Sequence, residues 1–390
     1  MPIDRTRKFS LPGIHELNKD QDEALALPME GQHLIIGGPG TGKSVVALLR
    51  ARRLSEKSKV YKTLVYNHLL DQSNRYLFGS NERLYSYTWD KWIRSIIKEH
   101  LKCVPTMDEN AGGYRPIDWD AVKNRVQSLD NIEIKSDQFL VIDEGQDMPP
   151  AFYQTLVSLG FENFYVAADQ NQQIHPDKCS SRQDIENILA IEPGDTLELK
   201  ANYRNTRPIA LLAQHFYPAD PASPRPSLPE LLPSAAMPEL LTYDEETLSP
   251  LANTILQLQD RSPRKLLGII TPNNQVREKF IDALNQANPR LDNEKPSIQT
   301  FVSGQQDLPD FSQGGVMIIN AQSCKGLEFD TVILADIDQH QPKSDLYALK
   351  ARFYVMVARA REQVILLRTG NTCPVVEGLL PTDPSILVRK

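Results

Sequence analysis

The sequence predicts an α/β protein built as two units, each around a parallel sheet, and three observations predict it. From about Leu34 to Val166, short apolar runs alternate with helical patterns; a second set of such runs follows Lys265; and a glycine-rich loop closes the first run and opens a helix. Unbroken apolar runs, rather than alternating ones, are what strands buried on both faces require. Alternation of strand and helix then gives parallel sheets with ligand loops at the carboxyl ends of the strands.

Each element follows from its residues. HLIIGG leads into the helical stretch VVALLRARRL; TLVYN, FLVIDE and FYVAAD read as buried strands. Between them, Leu101 to Arg115 is loop-like, with Gly112-Gly113 and few apolar positions. In the second unit LLGIITP, VMIINAQ, TVILAD and QVILLRT are the strands. The stretch from Pro218 to Pro238 also carries Pro221, Pro224, Pro226, Pro229 and Pro233. Proline fixes φ and lacks a donor, so this is neither regular helix nor central strand; a rigid surface loop is expected, with a docking strip for a partner as the alternative. Residues 286–315 read as a connector, and the tail after Thr369 is too short to fold alone.

At 390 residues the chain suits two domains, and 41% hydrophobic with 24% charged residues is an ordinary globular composition. A net charge of −7 argues against indiscriminate coating of nucleic acid and leaves room for a local basic groove. Cys103, Cys179, Cys324 and Cys373 form no C-x-x-C pair, which fits a reducing, cytoplasmic setting and gives no zinc or iron–sulfur site. The start MPIDRTRKFS has no apolar h-region and no run is long enough for a membrane span, so no membrane partner is expected. Arg50, Arg52, Arg53, Lys57, Lys59 and Lys62 cluster after the glycine-rich loop and read as a solvated helix face, with a nucleic-acid path as the alternative.

The chemistry begins at Gly37-Gly38-Pro39-Gly40-Thr41-Gly42-Lys43-Ser44, which fits G-x-x-x-x-G-K-S/T between a strand and a helix. Glycines let backbone N–H groups approach phosphates, and the helix N-terminus adds partial positive charge. Lys43 is placed for the β/γ-phosphates of ATP and Ser44 for Mg²⁺. In FLVIDEGQD, Asp143 ends an apolar strand and is placed to hold Mg²⁺, and Glu144 to activate the attacking water.

DEGQD at 143–147 resembles motif II of the superfamily 1 helicases of the UvrD/Rep group, and further stretches resemble that family's motifs in order. LNKDQDEAL carries Gln21 in the manner of the adenine-reading Q-motif. TLVYNHLL at 63–70, with Asn67, and YTWDKW, with Thr88 and Trp89, are similar to the strand-contacting motifs of the first lobe. ADQNQQIH at 168–175 resembles motif III, whose glutamine, here Gln172, couples γ-phosphate to nucleic acid. LKANYRNT at 199–206 resembles motif IV, implying that Tyr203 stacks on adenine and Arg204 meets the γ-phosphate. INAQSCKGLEFDTVIL at 319–334 resembles motif V, placing Gly326 and Glu328 at the nucleotide and Asn320 and Gln322 at the nucleic acid. RFYVMVARAREQVIL at 352–366 resembles motif VI, with Arg359 as second arginine finger.

The resemblance implies two RecA-like P-loop NTPase domains with an ATP cleft between them. They would be residues 1–198, with a short helical insertion at about 85–135, and residues 199–390. It further implies a Mg²⁺-dependent ATP hydrolase that translocates on single-stranded or tailed duplex DNA, in the 3′→5′ direction, with RNA as the other candidate strand. The chain departs from the family in three places. The spacings after Tyr76 and after Leu284 are too short for the large inserted subdomains. HPDKCSSRQDI from His175 lacks the expected base-stacking aromatic, leaving Trp89, Trp92 or Tyr66 for that role, with core packing as the competing role for the tryptophans. Asn320 and Gln322 stand where threonine and histidine are usual. A compact chain of this kind also fits a second role, an ATP-binding regulatory subunit of a DNA repair or anti-phage defence complex.

Overall fold

A computed structural model describes residues 3–7, 10–79, 83–109, 113–128, 136–173, 179–244, 246–302, 308–340, 345–370 and 373–390. The first sheet holds β1 (Gln32–Gly37), β2 (Tyr61–Val65), β3 (Ser86–Thr88), β4 (Ser136–Ile142), β5 (Phe161–Ala168) and β6 (Thr196–Leu199) in the order β3-β2-β4-β5-β1-β6. The second holds β7 (Glu239–Tyr243), β8 (Leu266–Thr271), β9 (Ile298–Thr300), β10 (Gly315–Asn320), β11 (Phe329–Leu334), β12 (Ala360–Thr369) and β13 (Val388–Arg389) in the order β13-β7-β12-β11-β8-β10-β9. Every pairing within both sheets is parallel. This is the α/β class expected, and two parallel sheets are what two RecA-like domains require.

Period-two geometry explains the layers. Leu34 and Ile36 of β1 point into one apolar cluster while Ile35 points into the other. In β8, Leu266 and Ile270 face one cluster and Leu267 and Ile269 the opposite one. Both sheets are therefore covered on two faces, which is why their central strands read as unbroken apolar runs. The short strands β3, β6, β7, β9 and β13 sit at or near sheet edges and lack that signal. The tail after Thr369 adds β13 to β7 instead of folding separately.

Two expectations need correction. Arg50 is buried, donating to the carbonyls of Leu27 and Pro28, while Arg53 reaches Leu25 and Arg52 reaches Phe78. Arg53 thereby meets a carbonyl in the last turn of helix Lys19–Ala26, which has no intrahelical partner, and Arg50 meets the carbonyls just beyond it; Lys57 and Lys59 are exposed, so only the arginines of the cluster depart from a solvated face. The proline-rich stretch is not simply a surface loop either. Ser223 and Pro226 are buried; Ser223 Oγ donates to Asp169 Oδ1 at 3.0 Å, and Ser227 N donates to the Lys200 carbonyl at 2.7 Å. Ala201 and Ser227 form a parallel bridge, so this stretch covers the β6 edge of the first sheet. Leu231 and Leu232, later in the same stretch, are exposed.

The N-terminal segment crosses in the other direction. Thr6 bridges Gln313, Arg7 N donates to the Ser312 carbonyl at 2.8 Å, and the Arg7 guanidinium lies 3.7 Å from Asp330. Among the described residues, no helix is long and apolar enough to cross a membrane.

His340 packs beside Phe353, is 1% exposed, and has neither ring nitrogen hydrogen-bonded among the described residues. Burial, with Arg352 adding to it, pushes its pKa down to about 3. The unfolded chain takes up this proton near pH 6.5 and the folded chain does not. Folding stability from this group is therefore full above pH 6.5 and falls as pH drops toward 3, by about 1.4 kcal/mol per pH unit. Urea denaturation at pH 7 and pH 5 checks it: His340→Leu should lose less stability between the two than wild type.

Candidate active site

Neighbouring strands bring the loops together. β4, β5 and β1 lie side by side, so the loops at their carboxyl ends, carrying Asp143-Glu144, Asp169–Gln172 and Gly38–Lys43, converge on one edge. Gly40 and Gly42 have φ of +77° and +89°, where a side chain is strained. A Cβ on Gly40 would also sit 2.3 Å from Asn202 Oδ1 and 3.0 Å from Arg204 Cβ. Gly40→Ala is accordingly expected to destabilise the folded chain by about 1–3 kcal/mol of backbone strain. Urea denaturation beside wild type reads this.

The loop is internally braced. Thr41 Oγ1 donates to the Gly38 carbonyl at 2.8 Å, and Lys43 Nζ donates to the Gly37 and Gly38 carbonyls at 2.6 and 3.1 Å. Pro226 packs on the loop so closely that a Cβ on Gly38 would lie 2.1 Å from its Cγ. Gln21 caps helix Lys19–Ala26 reciprocally with Asn18, and its Nε2 donates to the Thr41 carbonyl at 2.9 Å. Burial pulls the Lys43 ammonium down, and Asp169, Glu144 and Asp143 work against that.

The two acidic residues are distinguished by their surroundings. Burial and the adjacent Glu144 raise the Asp143 carboxyl to about 6, while a hydrogen bond from Ser44 opposes this. Its Oδ2 is buried without a partner among the described residues. Burial also acts to raise Glu144, but Lys325, Lys43 and Arg359 together hold it below the usual range. Glu144 sits at φ +55°, a left-handed conformation that costs energy outside glycine. The turn leaves its carboxylate accepting from Gln146 Nε2 at 2.6 Å.

The residues just after β6 and those just before β11 and β12 supply the opposite wall. Tyr203 N donates to the Gly40 carbonyl at 2.8 Å, and the Tyr203 side chain is 60% exposed, open to a stacking partner. Arg204 pairs with Glu328, whose carboxyl burial would raise but Arg204 and Arg361 lower. Arg359 is buried; its Nη2 donates to Gln172 Oε1 at 2.6 Å, and Gln172 Nε2 donates to Asp169 Oδ2 at 2.7 Å. Lys325, also buried, donates to Asp147 Oδ1 at 2.7 Å and to the Gln172 carbonyl at 2.8 Å. Gln172 is thus the junction where both sheets meet.

Gln21, Pro39, Gly40, Gly42, Lys43, Ser44, Glu144, Gln172, Tyr203, Arg204, Gly326, Glu328 and Arg359 line one cavity of about 320 Å³. Asp143 lies buried behind Ser44, and Gly37, Gly38 and Thr41 brace the loop from beneath. Sequence reasoning missed Arg7, Asn74, Tyr76 and Arg361, which line the same cavity. Arg361 lies within the stretch at 352–366 without having been singled out, whereas no motif covers Arg7, Asn74 or Tyr76, which only the fold brings there.

The residues expected at nucleic acid fall elsewhere, at carboxyl ends of strands. Asn67 follows β2 and caps helix His68–Phe78, its side chain accepting from Leu70 N at 2.8 Å. Thr88 ends β3 and is buried. Asn320 ends β10, accepting from Thr271 Oγ1 and donating to Asn274, and Gln322 is exposed. Trp92 belongs to the core against Phe161, while Trp89 is half-buried, edge-on to Phe152 at 5.6 Å. Tyr66 is exposed. The stretch His175–Lys178, at the start of the segment where the family's stacking aromatic is expected, lies outside the described residues.

Residues 315–367, which run from β10 through Arg359 into β12, match the UvrD-like helicase C-terminal domain. This match points to a DNA-helicase type of function. No curated protein matches the chain. Among solved structures, the C-terminal domain of a possible DNA helicase from Lactobacillus plantarum WCFS1 is 17% identical, covering 48% of this chain and 97% of that one at a TM-score of 0.34. At that TM-score the likeness supports no inference.

A divalent cation fits the residues present. Among the described residues no cluster of three His, Cys, Asp or Glu exists to form an all-protein metal site. Mg²⁺ does not need one: it is held by one or two protein oxygens together with substrate phosphates. The unpartnered Asp143 Oδ2 beside Ser44 is such a donor.

Proposed function

We propose that the chain is a compact superfamily 1 motor of the UvrD/Rep-like kind, hydrolysing ATP between its two sheets while moving 3′→5′ on single-stranded or tailed duplex DNA. The observation that carries this is the meeting of Lys43, Glu144, Arg204 and Arg359 on one cavity, with Gln172 bonded to Arg359. A phosphate-gripping loop faces two guanidiniums, Arg204 after β6 and Arg359 before β12, which is the charge arrangement that phosphoryl transfer demands.

In this function Gln21 and Tyr203 bind adenine, Glu328 holds the ribose, and Lys43 leaves its carbonyl partners for the β/γ-phosphates. Ser44 and Asp143 hold Mg²⁺, which when bound neutralises phosphate charge. Glu144 accepts the proton of the attacking water as the bond from γ-phosphorus to the bridging oxygen breaks and ADP departs. Arg204 and Arg359 stabilise the charge on the transferring group. Asn67, Thr88, Trp89, Asn320 and Gln322 line the strand path along the carboxyl edges. Closure on ATP and reopening after hydrolysis move one sheet against the other along the strand.

Strand displacement on 3′-tailed, 5′-tailed and blunt duplexes tests the motor. Displacement of 3′-tailed duplex by wild type, lost in Lys43→Ala, is expected; activity confined to 5′ tails would overturn the polarity. The role of regulatory subunit is favoured by one feature, the adjacent Leu231 and Leu232, 68% and 55% exposed. It would appear as a stoichiometric protein complex with weak ATPase in the free chain.

A further inference from the structure

Helix His68–Phe78 buries Leu69, Leu70 and Phe78, and it also buries Asn74. Asn74 is 2% exposed, and its Nδ2 has no acceptor among the described residues. A buried amide donor without a partner is unfavourable relative to the same group in water, and few persist in native proteins without a reason.

The location supplies one. Asn74 lines the same cavity as Lys43, Glu328 and Arg359. One turn earlier, Leu70 abuts Gly326, where an added Cβ would lie 2.8 Å from the leucine methyl carbons. Two residues later, Tyr76 Oη donates to the Arg7 carbonyl at 2.8 Å. The helix is therefore pinned at both ends of this stretch, against the second lobe and against the N-terminal segment. It forms a third wall of the cleft beside the glycine-rich loop and the arginine face.

We propose that Asn74 contacts the nucleotide, donating its Nδ2–H to an acceptor oxygen of the ribose or the phosphates; this rests on the ATP reading given above. A cationic or apolar ligand group would leave the donor unpaired, so the partner is an acceptor, and beside Lys43 and Glu328 the acceptors assigned are the ribose and phosphate oxygens. The donor is buried and without a partner among the described residues, and the proposed contact supplies one.

Asn74→Leu separates this from a packing role. Removing an unpaired donor should leave the nucleotide-free protein at least as stable as wild type in thermal melts. The same change should weaken binding of a fluorescent ATP analogue by about 3- to 10-fold. Asn74→Ala serves as the second variant should leucine not fit. Parallel titrations locate the oxygen: a penalty that vanishes with ADP places it on the γ-phosphate, one that vanishes with 2′-deoxy-ATP places it on the 2′-hydroxyl, and one that persists with both places it on the α/β-phosphates or the remaining ribose oxygens. Folded variants that bind ATP as wild type does would overturn the assignment while leaving the ATP site intact. Absence of Lys43-dependent ATP binding in wild type would remove the ATP reading itself, and this assignment with it.

Discussion

Arg359→Ala is expected to cut ATP turnover by about 10³-fold or more while changing ATP affinity by about tenfold or less. The size of the effect comes from preparation. The guanidinium is 1% exposed, with Nε donating to the Val355 carbonyl at 3.0 Å and Nη2 to Gln172 at 2.6 Å. Its backbone carbonyl also accepts from Phe329 N at 3.0 Å, so the residue is fixed at the mouth of β12. A charge already desolvated and aimed costs no reorganisation when phosphate charge develops. Arg359→Lys should restore little, because an ammonium cannot reproduce the planar fork that reaches Val355 and Gln172 together. Single-turnover kinetics beside equilibrium binding separate the two quantities. Turnover within tenfold of wild type would contradict the role.

Lys325→Ala is expected to destabilise the folded chain by about 3–5 kcal/mol. Lys325 is buried and holds both oxygens of Asp147 together with the Gln172 carbonyl, tying one sheet to the other. Burial already pushes the Asp147 carboxyl up to about 6 against the pull of Lys325. Without the ammonium, a buried carboxylate near Glu144 loses its compensation. Replacing both residues by apolar ones, Lys325→Met with Asp147→Leu, should recover most of the loss, since removing a whole buried pair is far cheaper than halving it. Urea denaturation of the two single variants and the double variant measures this. A loss below about 1 kcal/mol for Lys325→Ala, the level of an exposed pair, would mean that the contact does not bind the sheets together.

How much of this was legible in the sequence follows from the range of each signal. The loop from Gly37 to Ser44 could be read because its chemistry is local: glycines, a lysine and a hydroxyl at fixed spacing between a strand and a helix. The central strands could be read because burial on both faces writes an unbroken apolar run. Lys325 and Asp147 are 178 positions apart, and nothing in either segment states the contact. Arg50 looked like a solvated charge because periodicity sees only polarity, not the orphan carbonyls of Leu27 and Pro28 that it meets. Proline content ruled out regular structure for 218–238 but could not say which surface the segment covers; Pro226 on Gly38 is a tertiary fact. Asn74 carried no signal at all, one amide in an amphipathic helix.

Steady-state ATP hydrolysis with and without single-stranded DNA, in Mg²⁺ at low salt, tests the central claim most directly. The expected result is hydrolysis stimulated several-fold by the strand and abolished in Lys43→Ala. Hydrolysis indifferent to single-stranded DNA, or unchanged in Lys43→Ala, would contradict it.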